Sequence, residues 1–285
     1  MKKITIWVLM LTMLTALLSG CAASAGDLDT TAATVTEQTQ APTETVKDKL
    51  DEVKAKGVLV LGTSADYPPY EFHMEIDGKD TIVGFDIEIA KKLAAAMDVE
   101  LEIIDMKFEG LLPALTAGKI DLIIAGMTPT EERKASVDFS VVYYDAKQTM
   151  LVLTENVEIL NSVEAFDGKT VGVQKASIQE ALAIETFKTS TVKAIDKIPN
   201  LIMELKTGKV QGLVMAEPVA KQYDQANEDL SLNGMDLGSE GGSAIAVQKN
   251  SGAFLTLIDE TLNGMLESGE MDQIIAEAML LSEGE

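Results

Sequence analysis

Cysteine, histidine and tryptophan occur once each in 285 residues, and 23 lysines and arginines face 46 acids. A lone cysteine has no disulfide partner and cannot build a thiolate metal cluster. The histidine, His73, lacks metal partners in the sequence and reads as a surface residue rather than a general base. The zinc-protease His-Glu-x-x-His, the hydrolase Gly-x-Ser-x-Gly and the phosphate-loop glycine patterns are all missing. A formal charge of −23, with no basic cluster, excludes electrostatic binding of nucleic acid and fits solubility outside the cell. With these absences, no cofactor, no metal and no enzymatic activity are expected.

Lys2 and Lys3 precede the apolar stretch Ile4–Leu18, and Leu18-Ser19-Gly20-Cys21 follows. A short positive end and a short apolar region make an export signal, too short for a permanent span. The Leu-Ser-Gly-Cys end resembles a bacterial lipobox. That resemblance implies removal of residues 1–20, lipidation of Cys21 and anchoring to the cell membrane on the outer side. Loss of Lys2 and Lys3 takes the charge to −25 (−23 − 2), so the lipid must do the anchoring. The rest of residues 21–46 is mostly Ala, Thr, Ser, Glu, Gln and Pro, with almost no large apolar side chains, too polar to bury a core. A disordered tether with an r.m.s. reach of about 25–30 Å is expected there.

The remaining residues, 47–285, exceed one average domain and suggest two lobes. Apolar runs at Val58–Thr63, Val99–Met106 and Ile120–Ala125 read as strands. Helical spacing of Ile87, Ala90, Leu93, Ala94 and Met97, and again over Phe108–Leu115, separates them. This order argues for an α/β lobe with a mostly parallel sheet. Extended chain after Ser140 leads to a second series, with strands at Thr170–Gln174 and Gly212–Ala216 and an amphipathic helix from Ile198. Glycine-rich Gly238–Ser243 then returns the chain to a strand over Ala244–Gln248 and a helical tail. The expected lobes are 47–143 with 243–285, and 147–238, joined by two crossings.

The most informative stretch is Ile120–Arg133. Gly126 stops the strand, and Thr128, Pro129 and Glu131 fall at the Ncap, N1 and N3 positions of a capping box. Free amides at a helix start form an anion site, and Arg133 adds a guanidinium. Ser177 stands at a comparable helix start in the second lobe.

The block Gly126-Met127-Thr128-Pro129-Thr130-Glu131-Glu132-Arg133, continuing to Val137-Asp138-Phe139-Ser140, resembles the signature of the polar amino-acid-binding proteins that serve ABC importers. The resemblance implies a type II periplasmic-binding-protein fold, a monomer, and a clamp that hands an amino acid to a permease. It implies that Thr128 and Arg133 hold the ligand α-carboxylate beside Gly126, with Tyr67 and Phe108 as aromatic walls. Ser64 stands where many relatives carry an aspartate, and Ala216 where they carry the acid that pairs with the α-ammonium. Glu217, one residue later, is the candidate substitute, and Ser177 the second-lobe contact. With both acids missing, a neutral polar ligand is expected. Tyr70 and Phe72 are read as packing residues, and the acids of Gly84-Phe85-Asp86-Ile87-Glu88 as helix-start electrostatics. Two other readings stay open on the same fold: a prephenate- or arogenate-type dehydratase using Glu217 as general acid, and a sensory or adhesion lipoprotein.

Overall fold

The computed structural model describes residues 48–239 and 241–283. The export signal, Cys21 and the tether lie outside the described residues. Among the described residues no helix is long and apolar enough to cross a membrane.

Helix α1 (Lys49–Lys56) is capped by Asp48, whose Oδ1 accepts the Leu50 amide at 3.0 Å, and ends at Gly57. Strand β1 (Val58–Thr63) follows, buried from Leu59 onward. Short strands β2 (Asp66–Tyr67), β3 (Glu71–Ile76) and β4 (Lys79–Val83) form a small antiparallel sheet. Helix α2 (Phe85–Met97) buries the predicted stripe of Ile87, Ala90, Leu93, Ala94 and Met97. Its start leans on the loop before β3: the Phe85 amide donates to Pro69 O at 3.1 Å and the Asp86 amide to Tyr70 O at 3.0 Å. Only glycine fits at residue 84, because a Cβ there would stand 2.2 Å from the Tyr70 carbonyl oxygen and φ is +121°.

Strand β5 (Glu100–Asp105), helix α3 (Phe108–Thr116), strand β6 (Leu122–Ile123), the single-turn α4 (Glu131–Lys134) and strand β7 (Val137–Tyr144) complete the first pass. Strand β6 is shorter than its apolar run suggests. The Ile124 carbonyl leaves the ladder to accept the Thr63 hydroxyl at 2.8 Å, which turns the chain toward the loop at Gly126. The second lobe holds β8 (Gln148–Leu153), β9 (Thr170–Gln174), α5 (Ile178–Thr186), β10 (Thr191–Ile195), α6 (Ile198–Lys206), β11 (Gly212–Ala216), α7 (Glu217–Gln225) and β12 (Leu230–Leu232). Strand β13 (Ser243–Gln248) returns to the first sheet, and α8 (Gly252–Ser268) and α9 (Glu270–Ser282) pack on α2.

The two main sheets share one plan. Their orders are β5-β1-β6-β13-β7 and β10-β9-β11-β8-β12. In each, the pairings among the first three strands are parallel, and the fourth strand runs antiparallel to both its neighbours. That opposed strand, β13 or β8, is the one that has just crossed from the other lobe. Ligand sites in such sheets gather at the carboxyl ends of the parallel strands, and there the loops after β1, β6, β9 and β11 meet.

Candidate functional site

Arg133 sits at the third position of α4. Thr130, not Thr128, caps this helix: its Oγ1 accepts the Arg133 amide at 3.3 Å and its backbone is extended, with ψ 156°. The predicted cap is thus displaced by two residues. Proline at 129 disfavours helical backbone at Thr128, and the second threonine takes the role. The helix start predicted here is a single turn, Glu131–Lys134, with the Arg133 guanidinium beside it. Thr128 lines the hollow beside it.

Arg133 is 9% exposed. Nη1 donates to Thr128 O at 2.7 Å, and Nη2 donates across the cleft to Ala176 O at 2.9 Å. Its Cζ lies 5.4 Å from the centre of the Phe108 ring at the start of α3. Burial lowers its pKa to about 10, with the Glu132 charge opposing, so it stays cationic at neutral pH. Among the described residues no carboxylate forms an ion pair with it. Five N–H donors on guanidinium, two of them engaged by carbonyls, leave the rest for an anion. A buried cation without a counter-charge is costly, and a bound carboxylate removes that cost.

Ser64, Tyr67, Phe108, Gly126, Thr128, Arg133 and Ser177 are brought together around this hollow. Tyr67 spans both lobes: its hydroxyl accepts the Ala216 amide at 3.3 Å and faces Gln179 Nε2 at 3.4 Å. Burial pushes its phenol pKa up, so it remains a neutral phenol. Gly126 has φ +55°, and its amide donates to Asp86 Oδ2 at 2.9 Å. Ser177 is the N-cap of α5: Oγ accepts the Glu180 amide and donates to Gln174 O at 2.7 Å. Its hydroxyl proton is therefore already engaged. The Ser64 hydroxyl faces Asp66 Oδ1 at 3.3 Å.

Glu217 does not join this group. As the first residue of α7 it points into another hollow with Tyr144, Lys147 and Lys221, its Oε1 2.6 Å from Lys221 Nζ. A strand-end residue and the first helical residue after it project in different directions, so the displaced acid does not replace the one missing at Ala216. Ala216 itself lines the second half of the cleft, with Gln148, Gln179 and Tyr70.

Residues not singled out from the sequence also line the cleft. Gln148 Oε1 accepts Gln179 Nε2 at 2.8 Å, joining the start of β8 to α5. Glu71, first residue of β3, is 1% exposed and lines the hollow beside Ser64 and Tyr67. In β3 both Glu71 and Phe72 are buried, so strand alternation gave no sign that this acid turns inward. Tyr70 and Phe72 are buried as predicted, the Tyr70 ring centre 4.4 Å from that of Phe85.

The lobes meet closely. Water-sized room in each half of the cleft amounts to about 20 Å³. Around it, Asp66 Oδ2 accepts the Ile198 amide of α6 at 3.1 Å, and Tyr223 donates to Asp66 O at 3.2 Å. Lys175 pairs with Glu109 at 2.8 Å, and Lys107 pairs with Asp196. Groups of three or more metal-ligating side chains are absent among the described residues.

Comparison with known proteins bears on this geometry. The family of bacterial extracellular solute-binding proteins, family 3, matches residues 59–279. The arginine-binding extracellular protein ArtP of Bacillus subtilis (strain 168) is 38% identical over 225 residues, which cover 77% of this chain and 85% of ArtP. The substrate-binding protein AbpA from Streptococcus pneumoniae Canada MDR_19A, solved bound to L-arginine, matches with a TM-score of 0.78 at 37% identity, over 81% of this chain and 98% of AbpA. The ancestral amino acid-binding protein AncCDT-1, described as a precursor of cyclohexadienyl dehydratase, matches with a TM-score of 0.74 at 31% identity, over 82% of this chain and 100% of its own. The two-lobe α/β architecture is therefore the type II periplasmic-binding-protein fold, and the chain belongs to family 3 of the bacterial extracellular solute-binding proteins, among the polar amino-acid-binding proteins of ABC transporters.

Proposed function

We propose that this protein captures a cationic amino acid, with L-arginine the first candidate, in the cleft between residues 47–143 with 243–285 and residues 147–238. It then delivers the ligand to an ABC import permease while held to the membrane by a lipid on Cys21. The observation that carries capture is Arg133: a buried guanidinium with unengaged N–H groups and, among the described residues, no ion-paired carboxylate fits a ligand α-carboxylate. Thr128 and the Gly126 turn support the same end of the ligand, and Tyr67 and Phe108 flank its stem.

The neutral ligand expected from Ser64 and Ala216 gives way to a cationic one on two grounds. ArtP is named for arginine and AbpA was solved with it, and Glu71 contributes a carboxyl to the hollow. The anchor rests on Leu18-Ser19-Gly20-Cys21. A binding role needs no turnover, whereas the dehydratase reading named Glu217 as its acid, and that side chain pairs with Lys221 in another hollow.

Calorimetric titration of the protein, freed of signal and tether, against arginine, glutamine and cystine tests the proposal. One saturable ligand of micromolar affinity or better is expected, weakened roughly tenfold or more by Arg133→Ala. Silence with every amino acid sinks it.

A further inference from the structure

Among the described residues lining both halves of the cleft, Glu71 is the one carboxylate and Arg133 the one cation. The second lobe offers amides, hydroxyls and the Ala216 methyl, but no acid. A positively charged ligand nitrogen therefore finds its counter-charge in the first lobe. Glu71 does not stand alone there. The amides of Phe85 and Asp86 are tied to the carbonyls of Pro69 and Tyr70, which sets the Asp86 side chain against that of Glu71. Both carboxyls are buried, at 1% and 0% exposure, and are within hydrogen-bond reach of each other.

Each acid also leaves one oxygen, Glu71 Oε2 and Asp86 Oδ1, without a donor from the protein. Asp86 Oδ2, in contrast, accepts the Gly126 amide at 2.9 Å and the Tyr143 hydroxyl at 3.0 Å. Two neighbouring buried carboxylates repel each other when both are charged, and a proton held between them supplies a donor that the protein does not.

Resting on the binding reading above, we infer that Glu71 and Asp86 form a carboxylic acid–carboxylate pair sharing one proton, and that a ligand cation entering the hollow discharges that proton from Glu71. The balance is simple: Glu71–COOH becomes Glu71–COO⁻ against the ligand cation, and one proton leaves to solvent. The surroundings agree. Burial and the charges of Asp86 and Asp66 push Glu71 well above the usual carboxylate range, with the Ser64 amide opposing. Burial raises Asp86 to about 6 against the pull of Gly126, Tyr143 and Glu71. Tyr67, Tyr70 and Tyr143 also face the pair, and burial pushes all three phenols up, so they stay neutral. Because the bound form holds fewer protons, affinity for a cation rises with pH; below about pH 6 a second proton on Asp86 weakens it further.

The test is L-arginine calorimetry near neutral pH in phosphate and in Tris, buffers of very different ionisation heat. Release of roughly one proton per arginine is expected, and Glu71→Gln should abolish the release and weaken binding by about tenfold. Arginine binding with equal heats in both buffers overturns the inference while leaving the binding role intact. A carbon-detected carboxyl titration of the wild-type, ligand-free protein judges the pair without a variant or a ligand. Glu71 still protonated near neutral pH supports the pair, and an ordinary carboxylate titration overturns it. Should arginine fail to bind, the functional reading falls, and the carboxyl titration alone decides the pair.

Discussion

The Phe108 ring lies under the Arg133 guanidinium, 5.4 Å from ring centre to Cζ, Phe108 opening α3 and Arg133 standing third in α4. The aromatic wall predicted for the ligand is thus also the support of the group that would hold the ligand's carboxylate. An aromatic face stabilises a desolvated guanidinium and fixes its plane. Phe108→Leu keeps most of the apolar volume and removes the ring. We expect amino-acid affinity to fall roughly threefold to tenfold with only a small change in melting temperature. Unchanged affinity by calorimetry would remove Phe108 from the site.

Asp66 joins the lobes as a buried acid: it accepts the first amide of α6, a helix whose own N-cap residue, Lys197, makes no capping bond. Burial raises its carboxyl to about 6, with Lys197 and the Ile198 amide opposing. Its charged form is thus disfavoured on closure. Asp66→Asn keeps an acceptor for Ile198 and removes that cost. The variant should populate the closed form more, seen as a smaller radius of gyration in ligand-free X-ray scattering. A larger radius would mean that the charge itself holds the lobes together.

Asp66 and Asp86 are both raised from 3.8 to about 6 in the folded protein. A raised folded-state pKa contributes stability that is fully present below the unfolded value and lost as pH climbs through the folded one. Urea midpoints of the ligand-free protein should therefore rise as pH is lowered from about 7.5 to about 5.5. The opposing acids Asp48, Asp138, Asp196, Glu204, Asp229 and Asp236 have lowered pKa values, and act only at lower pH. Glu71→Gln, which removes one member of the buried pair, should flatten the slope. A midpoint that falls over this range would contradict the assignment.

The proposed lipid anchor rests on one thiol, that of Cys21. Cys21→Ala should abolish incorporation of radiolabelled palmitate and release the protein into the medium, with arginine affinity unchanged. Continued membrane attachment of the variant would show that something other than Cys21 holds it.

The sequence carried the fold further than it carried the site. The α2 stripe of Ile87, Ala90, Leu93, Ala94 and Met97 was legible because helical spacing is a local property. The Gly126–Arg133 block was legible for the same reason, since a strand end, a glycine and a capped turn are written in consecutive residues. The choice between two threonines two residues apart was not, because only the actual backbone at Thr130 decides it. The burial of Glu71 was not legible because Glu71 and Phe72 are buried in succession, against the alternation that a strand pattern announces. The Gln148–Gln179 bond is likewise a contact between elements 31 residues apart, which no local pattern announces.

The position of β13 has a consequence for export. It fills the place between β6 and β7 in the first sheet, yet it lies beyond the whole second lobe in the chain. As the polypeptide emerges N-terminus first, the early lobe has a gap in its middle, with two strand edges unpaired, until Ser243–Gln248 arrives. Long-range closure of this kind is slow. The first sheet therefore cannot close until the return segment has been made.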